Sequence, residues 1–188
     1  MMTSRLTFRL LTVFGLLVFA APVAAQTDIF AGDPLIVATY ENRVAKVREL
    51  IVRQHPLARS DTDGRTPMLW GAIQGSYDAL ALLLEAEART SLLDKFGNSA
   101  LYYAAENGHV DVVELLLSYE APVDQENRDG RTPLMSATRN GHLEVVQALI
   151  AAGADVGRSD YTGRTVLDLA RDGRSRKVVQ TLEKAGAR

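Results

Sequence analysis

The sequence predicts an all-α solenoid of stacked helix-turn-helix units joined by hairpin-like turns, on the strength of three observations. Gly64, Gly97, Gly130 and Gly163 recur at a constant interval of 33 residues. Each is followed two residues later by a hydroxyl, on Thr66, Ser99, Thr132 or Thr165. A second glycine, at Gly75, Gly108 and Gly141, lies eleven residues after the first. Self-similarity at such a period marks a repeat architecture, in which each unit is too small to bury its apolar side alone and gains stability from its neighbours.

Composition fits this class. Of 188 residues, 47% are hydrophobic and 23% charged, the balance of a soluble globular chain. Lys+Arg number 21 against 23 Asp+Glu, a net charge of -2, which lacks the basic excess that nucleic-acid binding requires. With no cysteine, disulfides, thiolate nucleophiles and cysteine-ligated metals are ruled out.

Along the chain, residues 1–25 read as a signal peptide. Arg5 and Arg9 give a positive start, Leu10 to Ala21 an uncharged apolar run, and Val23-Ala24-Ala25 the small residues of a cleavage site. Cleavage is expected after Ala25, leaving a domain over 26–188. The alternative, an uncleaved anchor, needs about 20 apolar residues, and Arg9 limits this run. Later apolar clusters are all broken by charge or glycine, so no stable membrane insertion is expected once the segment is removed. A cysteine-free exported chain suits an oxidising compartment, and the absence of an Asn-x-Ser/Thr acceptor favours the bacterial periplasm. The expected location is periplasmic or secreted.

The first unit, at about 28–60, is degenerate but in register. Pro34, Leu35, Val47, Leu50 and Ile51 stand 33 residues before Pro67, Met68, Leu80, Leu83 and Leu84, while Gly32 comes one residue late. Arg43, Lys46, Arg48, Glu49 and Arg53 give its second helix the solvated outer face of an end repeat. The next three units span 61–93, 94–126 and 127–159. In each, the hydroxyl is placed to cap a first helix, and Pro67 and Pro133 enter its first turn, where a missing N–H costs nothing. The pairs Gln74-Gly75, Asn107-Gly108 and Asn140-Gly141 end that helix through a left-handed glycine. Val112, Val113, Leu115, Leu116 and Leu117 correspond to Val145, Val146, Ala148, Leu149 and Ile150, an apolar face broad enough for a second helix packed on two sides. Asp61, Asp94, Asn127 and Asp160 open the turns. In the last unit, 160–188, Arg174 replaces the second glycine, and Thr181 and Glu183 stand where inner units carry larger apolar or alanine side chains, as in a cap.

The unit from Asn127 to Ser159, with Gly130-Arg131-Thr132-Pro133-Leu134, Asn140-Gly141-His142, Val145-Val146 and Gly153-Ala154-Asp155, resembles the ankyrin repeat. The resemblance covers residues 61–187. It departs where the family usually has histidine after Thr-Pro-Leu, since Leu69, Tyr102, Met135 and Asp168 stand there.

The resemblance implies a concave side, made of turn tips and first helices, that binds another protein without catalysis. Mapped onto this chain, the candidate partner-binding residues are Arg65, Trp70, Phe96, Asn98, Tyr102, Arg128, Arg131, Arg139, Tyr161 and Arg164. Aromatic and arginine side chains dominate interface energy. Four of these have a plainer role to weigh against this: Trp70 and Tyr102 as packing, and Arg65 and Arg131 as partners of Asp63 and Asp129. For exported bacterial members the resemblance implies a supporting role in the envelope, such as protecting a periplasmic enzyme under stress. A second hypothesis places haem or a lipid in a groove lined by Trp70, Phe96, Tyr102 and Tyr103.

An enzyme is not expected. There is no nucleophile elbow, His-Glu-x-x-His or phosphate loop. Asp61, Asp94 and Asp160 recur as turn residues, and Asp111, Glu114 and Glu144 fall on solvent-facing positions. His109 and His142 are 33 apart, but no third ligand recurs beside them, so neither metal nor cofactor is expected. The chain is expected to be a monomer.

Overall fold

The computed structural model describes residues 32–173 and 175–188; the expected signal peptide lies outside the described residues. The described residues form ten helices in five pairs: α1 (Pro34–Tyr40) with α2 (Val44–Val52), α3 (Pro67–Gln74) with α4 (Tyr77–Glu85), α5 (Ala100–Asn107) with α6 (Val110–Ser118), α7 (Pro133–Asn140) with α8 (Leu143–Ala151), and α9 (Val166–Asp172) with α10 (Arg176–Lys184). First helices pack on first helices, in the order α1, α3, α5, α7, α9, and second helices form a parallel row behind them. The fold is an all-α repeat solenoid.

The predicted start signals operate. Thr66, Ser99, Thr132 and Thr165 are the N-caps of α3, α5, α7 and α9, each side chain accepting the N–H three residues on. In α9 the cap is doubled, because the Asp168 carboxylate accepts the N–H of Thr165 in return. The residue that breaks the family's histidine pattern thus has a local use.

The stop at Gly108 shows why glycine is needed there. Its φ is +77°, and an added Cβ would lie 2.6 Å from Nδ1 of His142 in the next unit. That ring is held in place because its Nε2 donates to the carbonyl of Glu106 at 3.0 Å. His109 Nε2 reaches the carbonyl of Ile73 at 3.1 Å in the same way. A carbonyl only accepts, so both rings carry the proton on Nε2 and tie each unit to the first helix of the unit before.

A further phase of the repeat runs through residues 54, 87, 120, 153 and 186. Gln54, Glu87 and Glu120 have φ of 58°, 62° and 56°, and Gly153 and Gly186 follow at 88° and 93°. Each sits just past a second helix, and the next residue's N–H returns to the last turn: His55 to Leu50, Ala88 to Leu83, Ala121 to Leu116. Two units use glycine here and three do not. Glu120 is exposed, and a left-handed conformation costs a non-glycine residue roughly 1–2 kcal/mol. Glu120→Gly is therefore expected to stabilise the fold by about 1 kcal/mol, after the entropy that glycine loses; an upward shift of the urea midpoint checks it.

The first unit keeps the design with different residues. Asp33, standing where Thr66 stands one period later, caps α1 by accepting from the N–H groups of Leu35 and Ile36. His55 Nε2 lies 3.1 Å from the same carboxylate, with Arg59 beyond it at 3.6 Å. Asn42 (φ 51°) takes the left-handed place of the second glycine, and its Oδ1 accepts the N–H of Ala79 in the next unit. At the far end, α10 buries Val178 and Leu182 and turns its charged residues outward.

Between the rows lies one continuous core. Leu35, Leu69, Leu80, Leu83, Leu101, Val112, Val113, Leu116, Leu134, Val146 and Leu149 are almost fully removed from solvent. No helix among the described residues is long and apolar enough to cross a membrane.

Candidate protein-binding surface

The turns linking the pairs form a row of similar tips. In each, one side-chain oxygen bridges two main-chain N–H groups. Asp61 Oδ1 accepts from Asp63 and Arg65 at 2.8 and 2.9 Å, Asp94 from Phe96 and Asn98, Asn127 from Asp129 and Arg131, and Asp160 from Thr162 and Arg164. The four evenly spaced glycines complete these bends with φ of +82°, +80°, +76° and +82°. Successive tips are joined through the main chain: Lys95 N–H donates to Asp63 O at 2.9 Å, Arg128 to Phe96 at 3.0 Å and Tyr161 to Asp129 at 3.0 Å. Neighbouring turns are thus held without the family's usual histidine.

The second atom of each bridging side chain faces the first helix or the preceding tip. Trp70 Nε1 donates to Asp61 Oδ2 at 2.9 Å, and Tyr103 Oη to Asp94 Oδ2 at 2.5 Å. Asn127 Nδ2 donates to Asn98 Oδ1 at 2.9 Å, while Asn98 Nδ2 reaches the Tyr103 hydroxyl at 3.1 Å. At Asp160 the series breaks. The matching helix position is Leu169, and Asp160 Oδ2 is buried with no hydrogen bond; Arg131 Nε, also unbonded, lies 3.9 Å away.

Burial raises the Asp160 carboxyl, but hydrogen bonds from the Thr162 hydroxyl and the Arg164 and Thr162 N–H groups, with the Arg131 charge, outweigh it and hold the group below the ordinary carboxylate range. A depressed folded-state pKa gives stability that is present above the unfolded value, near 4, and disappears as pH falls through the folded one. The stability gap between wild type and Asp160→Asn is expected to narrow as pH falls from about 5 toward 2. Asn127 shows that an amide can bridge the same turn, so the variant should fold. Urea titrations at several pH values check this.

The structure divides the sequence-predicted partner residues into two groups. Trp70 and Tyr102 are 9% and 6% exposed, so they are chiefly packing residues. Arg65 is half-buried in the framework: its guanidinium lies 5.2 Å from the Trp70 ring and 5.7 Å from the Tyr103 ring, between Asp63 and Asp94 at 3.8 Å each. Arg131 spans Asp129 and Asp160 in the same manner, at 3.6 and 3.9 Å, and Arg164 pairs with Asp172. Asn98 is engaged in the turn network. With Trp70, Tyr102 and Tyr103 buried against their own framework, these rings do not form the walls of an open haem or lipid groove.

The second group faces solvent. Phe96 is 53% and Tyr161 72% exposed. Arg128 and Arg139 are exposed and have no ion-pair partner within 4 Å among the described residues. Phe96 holds the tip position occupied by Asp63 one unit earlier and Asp129 one unit later, so an apolar ring stands between two Asp–Arg pairs. Tyr161 lies against Gly130, where an added Cβ would come within 2.3 Å of the ring, and its hydroxyl reaches Glu126. Glu106, on the inner side of α5, joins this surface. Its burial raises the carboxyl pKa above the usual value, only partly countered by the Arg139 and Arg131 charges. The repeat offset places Glu106 on that side, but nothing in the sequence signals its partial burial.

A repeat solenoid with a continuous row of tips defines an interaction scaffold. The family model for ankyrin repeats, in three copies, matches residues 87–160 and again 124–188, together more than half of the chain. The chain belongs to the ankyrin repeat family. Ankyrin repeats generally mediate binding to other proteins and are generally non-catalytic. The comparison with curated proteins returns no match.

Proposed function

We propose that this protein is exported and binds a partner protein in the periplasm along the side formed by its turn tips and first helices, with Phe96, Tyr161, Arg128 and Arg139 as the principal contacts. The single observation that carries this reading is Phe96. A phenylalanine half in solvent on a rigid, hydrogen-bonded tip adds nothing evident to the core, whereas the same position in two neighbouring units carries aspartate. Aromatic anchors beside arginine are the usual centres of interface energy. Rigid tips also lower the ordering cost of binding. In this reading the partner is an envelope enzyme or complex that the scaffold supports.

The test is affinity capture from the envelope of the native host, comparing wild type with Phe96→Ala, Arg128→Ala, Arg139→Ala and Tyr161→Ala combined. Loss of a specific captured protein from the variant, with its circular dichroism unchanged, is the expected result. Identical captured sets would overturn the assignment of this side. N-terminal sequencing of the exported protein, expected to begin at Gln26, tests the location; an intact Met1 would refute cleavage.

A further inference from the structure

The second helices of the three inner units carry charge of one sign. α4, α6 and α8 have the sequences Tyr77-Asp-Ala-Leu-Ala-Leu-Leu-Leu-Glu85, Val110-Asp-Val-Val-Glu-Leu-Leu-Leu-Ser118 and Leu143-Glu-Val-Val-Gln-Ala-Leu-Ile-Ala151, without a lysine or arginine. Asp78, Asp111 and Glu144 occupy the same position in successive units, and no cation among the described residues lies within 4 Å of them or of Glu85 and Glu114. The helix dipole accounts for the three first-turn acids. It does not account for Glu114, or for Glu85 at a helix C-terminus, where negative charge is unfavourable. Of the basic residues of these units, Arg65, Lys95, Arg128, Arg131 and Arg139 stand on the tips and first helices, and the other two, Arg89 and Arg158, lie in the loops beyond α4 and α8, the latter paired with Asp124, Glu126 and Asp155.

On this acidic side, between α4 and α6, lies an open cleft of about 460 Å³ lined by Tyr77, Leu115, Asp111, Glu114 and Ser118. Tyr77 is 41% exposed and Leu115 half-buried, so the cleft has an apolar centre edged by unpaired carboxylates. From this charge complementarity we infer that the cleft between α4 and α6 docks a basic amphipathic helix of a partner protein, an apolar side chain seated on Tyr77 and Leu115 and flanking lysines or arginines meeting Asp111 and Glu114. This surface lies on the opposite row of helices from the tips, and its occupation does not depend on the reading given above. Pairing with cations removes the repulsion that an acidic column otherwise imposes, and the attraction steers approach over a range of about 10 Å.

The test uses the full chain and a fluorescein-labelled 18-residue amphipathic helix carrying lysines on one side and leucines on the other, followed by fluorescence anisotropy. Its counterpart keeps the leucines and carries glutamates. Asp111→Lys with Glu114→Lys is expected to weaken binding of the lysine peptide at least tenfold. Glu41→Lys with Glu183→Lys, the same change in net charge placed on exposed residues elsewhere, should change it less than twofold. All four positions are exposed, so both variants should retain the wild-type circular dichroism. Phe96→Ala with Arg128→Ala should bind the peptide as wild type does, which separates this site from the tips. Equal weakening in the two charge-reversed variants, or equal binding of the glutamate peptide, would overturn the proposal. So would sedimentation showing that the cleft is instead filled by a second copy, through a dimer abolished by Asp111→Lys with Glu114→Lys.

Discussion

Leu116→Ala is expected to destabilise the protein by about 2–5 kcal/mol. Leu116 is fully buried in α6, the second helix of the central unit, which packs on α5 within its pair and on α4 and α8 to either side. Its carbonyl also accepts the N–H of Ala121, which closes that helix. Truncation removes apolar contact on several sides at once and leaves a cavity that the fixed main chain around it can fill only in part. An array of this kind is held by contacts between neighbours, so the defect weakens two interfaces as well as one unit. Urea denaturation followed by far-ultraviolet circular dichroism measures it. A cost below about 0.5 kcal/mol, the range of surface substitutions, would place Leu116 outside the core.

Asp94→Ala comes next in size, with an expected loss of about 3 kcal/mol. One carboxylate accepts from Phe96 N–H, Asn98 N–H and the Tyr103 hydroxyl, and faces Arg65 at 3.8 Å. Alanine would leave these donors with no partner in a region closed to water, which costs more than the bonds themselves contribute. If the proposed function holds, the effect extends to binding, because the bend that fixes Phe96 is the bend that Asp94 closes. Partner capture should fall together with stability. Asp94→Asn is the control, since Asn127 bridges the equivalent turn through its amide oxygen. If the alanine and asparagine variants were equally damaged, the bridging role would be wrong.

Much of this was legible from spacing. The hydroxyl caps at Thr66, Ser99, Thr132 and Thr165 and the bends at the four glycines follow from residue types whose local preference agrees with the tertiary structure. A residue whose role is set by its neighbours is harder to read. Glu87 and Glu120 adopt a left-handed conformation that glutamate does not advertise; only the alignment with Gly153 and Gly186 reveals it. Asp33 caps α1 at the period position of Thr66, yet the displaced Gly32 hides that equivalence. On the candidate surface, Trp70 and Phe96 both stand in the sequence as candidate contacts, with packing already weighed as the plainer role of Trp70. The structure separates them because Trp70 Nε1 finds a carboxylate within its own unit, whereas the Phe96 ring has no such partner and stays in solvent. Arg65 and Arg164 likewise have the chemistry of recognition but turn their guanidinium groups toward carboxylates of the framework.

The main-chain links between tips have one more consequence. Because each tip offers the same donor to its predecessor and the same acceptor to its successor, the bonding scheme has no preferred total length. Excising residues 94–126 as a block would set the N–H of Arg128 opposite the carbonyl of Asp63, the acceptor that Lys95 now uses. Removing one residue more or fewer would misalign every bend downstream of the cut. A lineage carrying this gene can therefore lengthen or shorten the scaffold to suit the span of what it grips, provided that each step inserts or deletes an entire layer.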